Sequence, residues 1–151
     1  RFERVVGLDN AEAMLERARQ QCQDAGLDNV DCLLADALLP QQLPLADCVV
    51  CNMVLHHMPA PAEALKRFAA LLKPGGSLVL TELCSHDQSW VRDSCGDLWL
   101  GFDQDDIARW AEAAGLRPGN SQYIGLRNGF QLQLLQLAKP ESPSPEDRKD
   151  P

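Results

Sequence analysis

The 151-residue sequence is short of positive charge: 14 lysine and arginine residues stand against 22 aspartate and glutamate residues, a formal net charge of −8. Polyanions are held by clustered cations, so this balance argues against a broad electrostatic grip on nucleic acid or anionic lipid. Long apolar runs are also lacking; none approaches the roughly 20 residues that a helix needs to cross a bilayer. No internal repeat is visible. No secretory leader opens the chain, and the start, Arg1-Phe2-Glu3-Arg4, is that expected of a fragment or a trimmed chain. Histidine is scarce, and the three residues, His56, His57 and His86, do not have the spacing of a zinc motif. The sequence therefore assigns no metal ligands.

What is present suits one globular domain. Apolar residues make up 45% and charged residues 24%, enough to bury a real core. The six cysteines sit mostly in apolar stretches such as Val30-Asp31-Cys32-Leu33-Leu34. A free thiol there behaves as a small hydrophobe, so reduced cysteines and a cytoplasmic location are expected. Cys48 and Cys51, three apart on a strand, face opposite sides and suit neither a chelate nor a disulfide. Cys84 and Cys95 flank a polar loop and are expected to be the more reactive thiols.

Residues 4–9 form a short apolar run ending in an acid, the pattern of a buried parallel strand. Residues 11–25 place Ala11, Met14, Leu15, Ala18, Cys22 and Ala25 on one helical face, with Gly26 behind as a C-cap. Strands are expected at 30–34 and 46–51. A helix starts at Pro61, carries Leu65, Phe68 and Leu72 inward, and stops at Pro74-Gly75-Gly76. A strand follows at 77–83, then a long polar segment from Cys84 to Phe102. Asp103 opens another helix, and two β segments near 122–126 and 130–137 close the chain as an antiparallel hairpin. The order predicts an α/β fold with a mostly parallel sheet and that hairpin at the carboxyl end. Residues 1–138 make the domain. Residues 139–151 hold four prolines and seven charges and are expected to be disordered.

In open α/β sheets, ligands bind outside the carboxyl ends of the strands. That rule selects Asp9-Asn10, Asp36-Ala37, Asn52 through His57, and Glu82 onward. Asp9 is suited to accept hydrogen bonds from the two hydroxyls of a ribose, or to be a plain helix cap. Asp36 accepts from an adenine amino group or caps a turn. Glu82 faces the pocket or only a helix terminus. His57 is a candidate substrate-side base or a structural histidine at the rim. In extended backbone His56 and His57 point opposite ways, so only one of them is expected to face the site. His86, beside Asp87, is a second acid–base candidate against a solvated loop. Leu100-Gly101-Phe102 is read as the hinge of a lid.

The same residues carry a family resemblance. Val5-Val6-Gly7-Leu8-Asp9-Asn10-Ala11-Glu12-Ala13-Met14-Leu15 resembles the second-strand motif of class I S-adenosylmethionine-dependent methyltransferases. Ala35-Asp36-Ala37 is similar to their adenine-side motif. Asn52-Met53-Val54-Leu55-His56-His57-Met58 and Leu71-Leu72-Lys73-Pro74-Gly75-Gly76-Ser77-Leu78 resemble their fourth-strand and post-helix motifs. The resemblance implies a Rossmann-like sheet and S-adenosyl-L-methionine as cofactor. By it, Asp9 with Asn10 holds the ribose, Met14 packs near the adenine, and Asp36 and Ala37 take the adenine edge. Asn52, with Met53, lies near the methionine part, and His57 marks the boundary with the substrate.

The family's opening strand, Gly-rich loop and first helix find no counterpart in this sequence. The domain is thus expected to be incomplete at its amino end, to hold cofactor weakly or not at all, and to be unstable or pair with a second copy. A narrower likeness covers Ser85-His86-Asp87 through Trp99-Leu100-Gly101-Phe102 and the helix at Asp103. It resembles bacterial methyltransferase domains fused behind a winged-helix regulator of the arsenic-repressor type. The expected function is methyl transfer to a small-molecule acceptor, with no direct nucleic-acid contact and no membrane. Two alternatives stand beside it: a cofactor-sensing module of such a transcription regulator, and a non-catalytic interaction fragment.

Overall fold

A computed structural model describes residues 2–39 and 43–142. The chain divides into two compact units, Arg1–Gln42 and Leu43–Pro151.

The first unit is one β-α-β turn: β1 (Val5–Asp9), α1 (Glu12–Asp24) and β2 (Val30–Leu34). The strands are parallel and in simple register, from Val5 opposite Val30 to Asp9 opposite Leu34. Asp9 and the Ala35-Asp36 segment therefore end side by side, and the Ala35 amide donates to the Asp9 carbonyl at 2.9 Å. Leu15 is the buried anchor of α1, whereas Met14 stays half exposed. Gly26, at φ +64°, lets the chain leave the helix in the left-handed region.

The second unit is a four-stranded sheet in the order β3 (Ala46–Asn52), β4 (Leu72–Leu83), β6 (Gln131–Ala138), β5 (Arg117–Gly125). β3 runs parallel to β4, while β6 is antiparallel to both β4 and β5. One pairing in this sheet is parallel and two are antiparallel, and β1–β2 adds a second parallel pair, so the α/β fold carries parallel pairs and the antiparallel carboxyl-terminal hairpin. The carboxyl-terminal hairpin is there as the sequence indicates. β2 and β3 belong to separate sheets.

The core of the second unit gathers on β4, where Leu72, Leu78 and Leu80 are fully buried. Helix α2 (Pro61–Leu71) covers it with Ala64, Leu65, Phe68 and Ala69, and α4 (Gln104–Ala113) adds Ile107 and Ala111. Burying each such leucine or isoleucine side chain stabilises the fold by roughly 1.5–3 kcal/mol. β6 alternates as a strand must, with Gln133, Leu135 and Leu137 on the buried face. The Gln133 amide nitrogen donates there to the carbonyls of Phe102 at 2.6 Å and Leu83 at 3.3 Å, while its Oε1 is buried without a hydrogen-bond partner.

Pro74-Gly75-Gly76 departs from the expected turn between a helix and a strand. β4 already starts at Leu72, opposite Ala46, and the segment is a bulge that brings Ser77 opposite Cys48. Gly75 takes φ +77° in that bulge. Gly76 is required for a different reason: a Cβ on it would stand 2.9 Å from the Lys73 carbonyl oxygen and 3.0 Å from that of Asp47. The expected disordered tail also begins with ordered residues. Lys139 donates from Nζ to the carbonyls of Leu72 at 2.7 Å and Ala69 at 2.8 Å, capping the end of α2. Residues 143–151 of that tail lie outside the described residues. Among the described residues, no helix is long and apolar enough to cross a membrane.

Candidate functional site

In the first unit the two strand-end acids each hold their own turn. Asp9 Oδ1 accepts from the Ala11 amide at 2.8 Å, and Asp36 Oδ1 accepts from the Leu38 amide at 2.8 Å. In both cases a carboxylate fixes the backbone two residues on, which orients the carboxyl group without consuming its second oxygen. Asp9 is not the helix cap: Ala11 is the N-cap of α1 and no side chain caps it, while Asp9 Oδ1 closes the turn before it and leaves Oδ2 for an external donor. Asp9 and Met14 also border a hollow of ≈ 310 Å³ lined by Gly7, Leu8, Ala18 and Cys32. Asn10 is exposed and Ala37 half-buried beside these acids.

In the second unit, β3 ends at Asn52, opposite Thr81. The next residue, Met53, has φ +54°, the one non-glycine residue in the left-handed region among the described residues. A side chain there costs of order 1–3 kcal/mol and persists where its surroundings fix it. Here the Met53 amide donates to the Thr81 carbonyl at 2.9 Å, and its side chain packs on Leu83, Val91 and Phe130.

Beyond Met53 the chain does not continue extended. Leu55–His57 form a short 3-10 turn, so His56 and His57 do not point to opposite sides; their ring centroids are 4.1 Å apart. Glu82 causes this. Its carboxylate is fully buried, and Oε1 accepts from the amides of Val54 at 3.0 Å and Leu55 at 2.6 Å. Oε2 accepts from His56 Nδ1 at 2.7 Å. Glu82 therefore takes the helix-terminus option and supplies acceptors to otherwise orphaned N–H groups. Burial works against the His56 imidazolium, but the hydrogen bond to Glu82 and the charges of Glu82 and Asp97 outweigh it and raise its pKa above the ordinary value. His57 is the exposed partner, with Nδ1 3.4 Å from the Gly96 carbonyl and 3.7 Å from Asp97 Oδ1.

Asp97 escaped the sequence reading. It follows a helix that the reading also missed, α3 (Trp90–Cys95), whose six polar and mixed residues show no apolar period. The segment is fastened to the histidine turn: the amides of Leu98 and Trp99 both donate to the His56 carbonyl, and Trp99 Nε1 donates to the Met58 carbonyl at 2.9 Å. Trp99 then packs on Phe102 and Trp110. His86 is placed differently. Its ring meets Phe130 edge-on at 4.8 Å, and its Nδ1 accepts from the Gln88 amide at 3.2 Å. His86 thus packs on Phe130 at the hairpin, with its Nε2 buried and without a hydrogen-bond partner among the described residues. At Gly101 the chain runs so close to the Cys84 backbone that a Cβ would stand 2.2 Å from its carbonyl oxygen.

The thiols sort by burial. Burial, aided by the Glu82 charge, pushes the Cys51 thiol up to about 12, and burial also raises Cys84. Cys95 is exposed. At pH 8 a maleimide is expected to label Cys95 within minutes, while Cys51 reacts only in denaturant; peptide mass spectrometry reads both. Equal labelling of the two in the native chain would show that β3 is not packed as described.

Comparison with known proteins agrees with the topology and the motifs. Residues 1–80 match a family model described as a methyltransferase domain. A ubiquinone biosynthesis O-methyltransferase of Coxiella burnetii is 26% identical over 145 residues, covering 85% of this chain and 62% of that protein. One from Idiomarina loihiensis is 34% identical over 88 residues, covering 58% of this chain and 36% of that protein. The chain thus spans less than two thirds of the length of these curated relatives. Among solved structures, the N-methyltransferase NodS from Bradyrhizobium japonicum, in complex with S-adenosyl-L-homocysteine, aligns with a TM-score of 0.72 at 20% identity, covering 91% of this chain and 67% of that one. The [4+2]-cyclase SpnF aligns with a TM-score of 0.78 at 17% identity, covering 92% and 67%. The chain belongs to the methyltransferase domain family, and its fold is the Rossmann-like one of these solved structures. The cyclase likeness shows that the fold alone does not fix the reaction.

Proposed function

We propose that this chain forms the cofactor-holding part of an enzyme that transfers a methyl group from S-adenosylmethionine to a hydroxyl of a small molecule, in the cytoplasm. In this reading the methyltransferase domain comprises residues 1–138. The observation that carries the proposal is the pair of strand-end carboxylates, Asp9 and Asp36, each held by its own turn through one oxygen only. A preoriented carboxylate with a spare oxygen fits a ribose diol at Asp9 and an exocyclic amine at Asp36. Asn10, Met14 and Ala37 complete the nucleoside side. Asn52 and the fixed, strained Met53 serve the methionine side. The cofactor supplies an activated methyl group on a sulfonium, so the protein's task is mainly to position the acceptor in line. His57, exposed at the rim, accepts a hydrogen bond or a proton from the acceptor hydroxyl. The hydroxyl assignment is supported by the O-methyltransferases among the relatives.

Methyl-labelled S-adenosylmethionine, offered with phenols, catechols, amines and thiols in parallel, tests the proposal. Label is expected in the hydroxyl acceptors. Label confined to amines or thiols would overturn the acceptor class. A chain that binds the cofactor but labels nothing would overturn the enzymatic reading in favour of a sensing module.

A further inference from the structure

Three side chains that the sequence keeps apart meet beside the histidine turn. His56 Nε2 lies 3.8 Å from Asp97 Oδ1, and His57 Nδ1 lies 3.7 Å from the same oxygen. The three donor atoms are all within 4.8 Å of one another. We propose that His56, His57 and Asp97 form a binding site for a divalent transition-metal ion, with Glu82 as the residue that orients His56.

Four observations support this. The first is the state of Asp97: it is 6% exposed, and its Oδ1, aimed between the two imidazoles, is buried without a hydrogen-bond partner. An unpaired buried carboxylate oxygen is costly and calls for a partner. The second is the orientation of His56. Its Nδ1 donates to Glu82 Oε2 at 2.7 Å, which directs the Nε2 lone pair at Asp97. A carboxylate on the far nitrogen is the usual support of a metal-bound histidine, fixing its tautomer and ring plane. The third is charge. Glu82 and Asp97 are both buried, and among the described residues no lysine or arginine pairs with either. A charged His56 offsets one of these carboxylates; a divalent cation in place of its Nε2 proton offsets both. The fourth is scale. Zinc–nitrogen and zinc–oxygen bonds of about 2.0–2.2 Å in a tetrahedron set neighbouring ligand atoms about 3.3 Å apart. The contacts at 3.7 and 3.8 Å need to contract by about half an ångström for that geometry, the third edge, within 4.8 Å, closes as well, and His57 Nδ1 exchanges its 3.4 Å contact with the Gly96 carbonyl for the metal.

Two imidazoles and one carboxylate suit zinc, cobalt(II) or iron(II) rather than magnesium, which demands an octahedral oxygen shell. Three protein ligands leave a coordination position open, on the side where His57 reaches solvent. A water or an anionic oxygen of a small molecule would occupy it. The site shares His57 with the methyl-transfer reading, but its occupancy is measured without cofactor or acceptor, so the two fail separately.

The test uses the full chain, stripped of metal with a chelator, and titrations with Zn²⁺, Co²⁺ and Mg²⁺. Calorimetry is expected to give one Zn²⁺ per chain at micromolar affinity or tighter, with Mg²⁺ at least a hundredfold weaker. Co²⁺ should show visible ligand-field bands without the near-ultraviolet band of a cobalt–thiolate bond. Asp97→Asn and His57→Gln should each weaken Zn²⁺ by at least tenfold and abolish the rise in melting temperature that Zn²⁺ gives the parent. His57 is exposed, so His57→Gln keeps its fold, and lost binding there is not unfolding. Unchanged affinity in both variants would overturn the proposal. So would a thiolate band that disappears on cysteine alkylation, or no Zn²⁺ binding up to millimolar concentration.

Discussion

Glu82→Ala is expected to destabilise the second unit by about 3–5 kcal/mol, the scale for removing one member of a buried, hydrogen-bonded charged pair. Three donors lose their acceptor at once: the amides of Val54 and Leu55 and His56 Nδ1. Each buried donor left unsatisfied costs about 1–3 kcal/mol, and the vacated volume adds to this. Glu82→Gln should cost less, because its carbonyl oxygen can still accept from the two amides. Its amide nitrogen can donate to His56 Nδ1 once the imidazole takes the other tautomer. Urea unfolding followed by tryptophan fluorescence reads the difference, since Trp99 is bound to the same turn. An alanine variant within about 1 kcal/mol of the parent would mean that Glu82 does not organise the histidine turn.

Gly101→Ala is expected to cost at least about 3 kcal/mol, far more than the loss of a glycine's freedom would suggest. Gly101 has φ +71°, and a Cβ there would lie 2.2 Å from the Cys84 carbonyl oxygen, 2.6 Å from its carbon and 2.9 Å from the Leu83 oxygen. All three obstacles are backbone, so no side chain can swing aside. Relief would have to break the Cys84–Phe102 bridge and the bond from the Phe102 amide to the Leu83 carbonyl. Gly115→Ala is the control. It has φ +76° but no atom within 4 Å of its Cβ, so it should pay only the left-handed penalty of about 1–2 kcal/mol. Equal melting temperatures for the two variants would remove the crowding argument.

The elements with a clear period were legible in the sequence. Helices α1, α2 and α4 and the strands ending at Asp9 and Leu34 lie where hydrophobic spacing and terminal residues place them, β3 runs one residue further than expected, to Asn52, and of the apolar face of α1 only Leu15 is buried. Legibility failed where long-range contacts outweigh local pattern. Pro74-Gly75-Gly76 has turn composition, yet pairing of Leu72 with Ala46 makes it a bulge inside β4. Helix α3 has too few apolar residues to show a period and is held by its surroundings through Val91. The two histidines looked extended because nothing local reveals that Glu82, 26 residues beyond His56, accepts from the turn between them. Asp97 was invisible for the same reason: its neighbours in space are 40 residues away in sequence. The strand-end acids were easier, because chain topology alone puts them at the carboxyl edge of a sheet.

The central claim is that this chain binds the nucleoside of S-adenosylmethionine through its strand-end acids. The most direct test is an amide NMR titration of the chain with S-adenosylhomocysteine, which detects binding even at millimolar affinity. The account predicts saturable shifts at Asp9, Asn10, Asp36 and Ala37. It also predicts that Asp9→Ala weakens binding by about 1.5–3 kcal/mol, the scale of hydrogen bonds to a charged group, or roughly tenfold to a hundredfold. No shifts at these residues at millimolar ligand, or the same affinity in Asp9→Ala as in the parent, would contradict it.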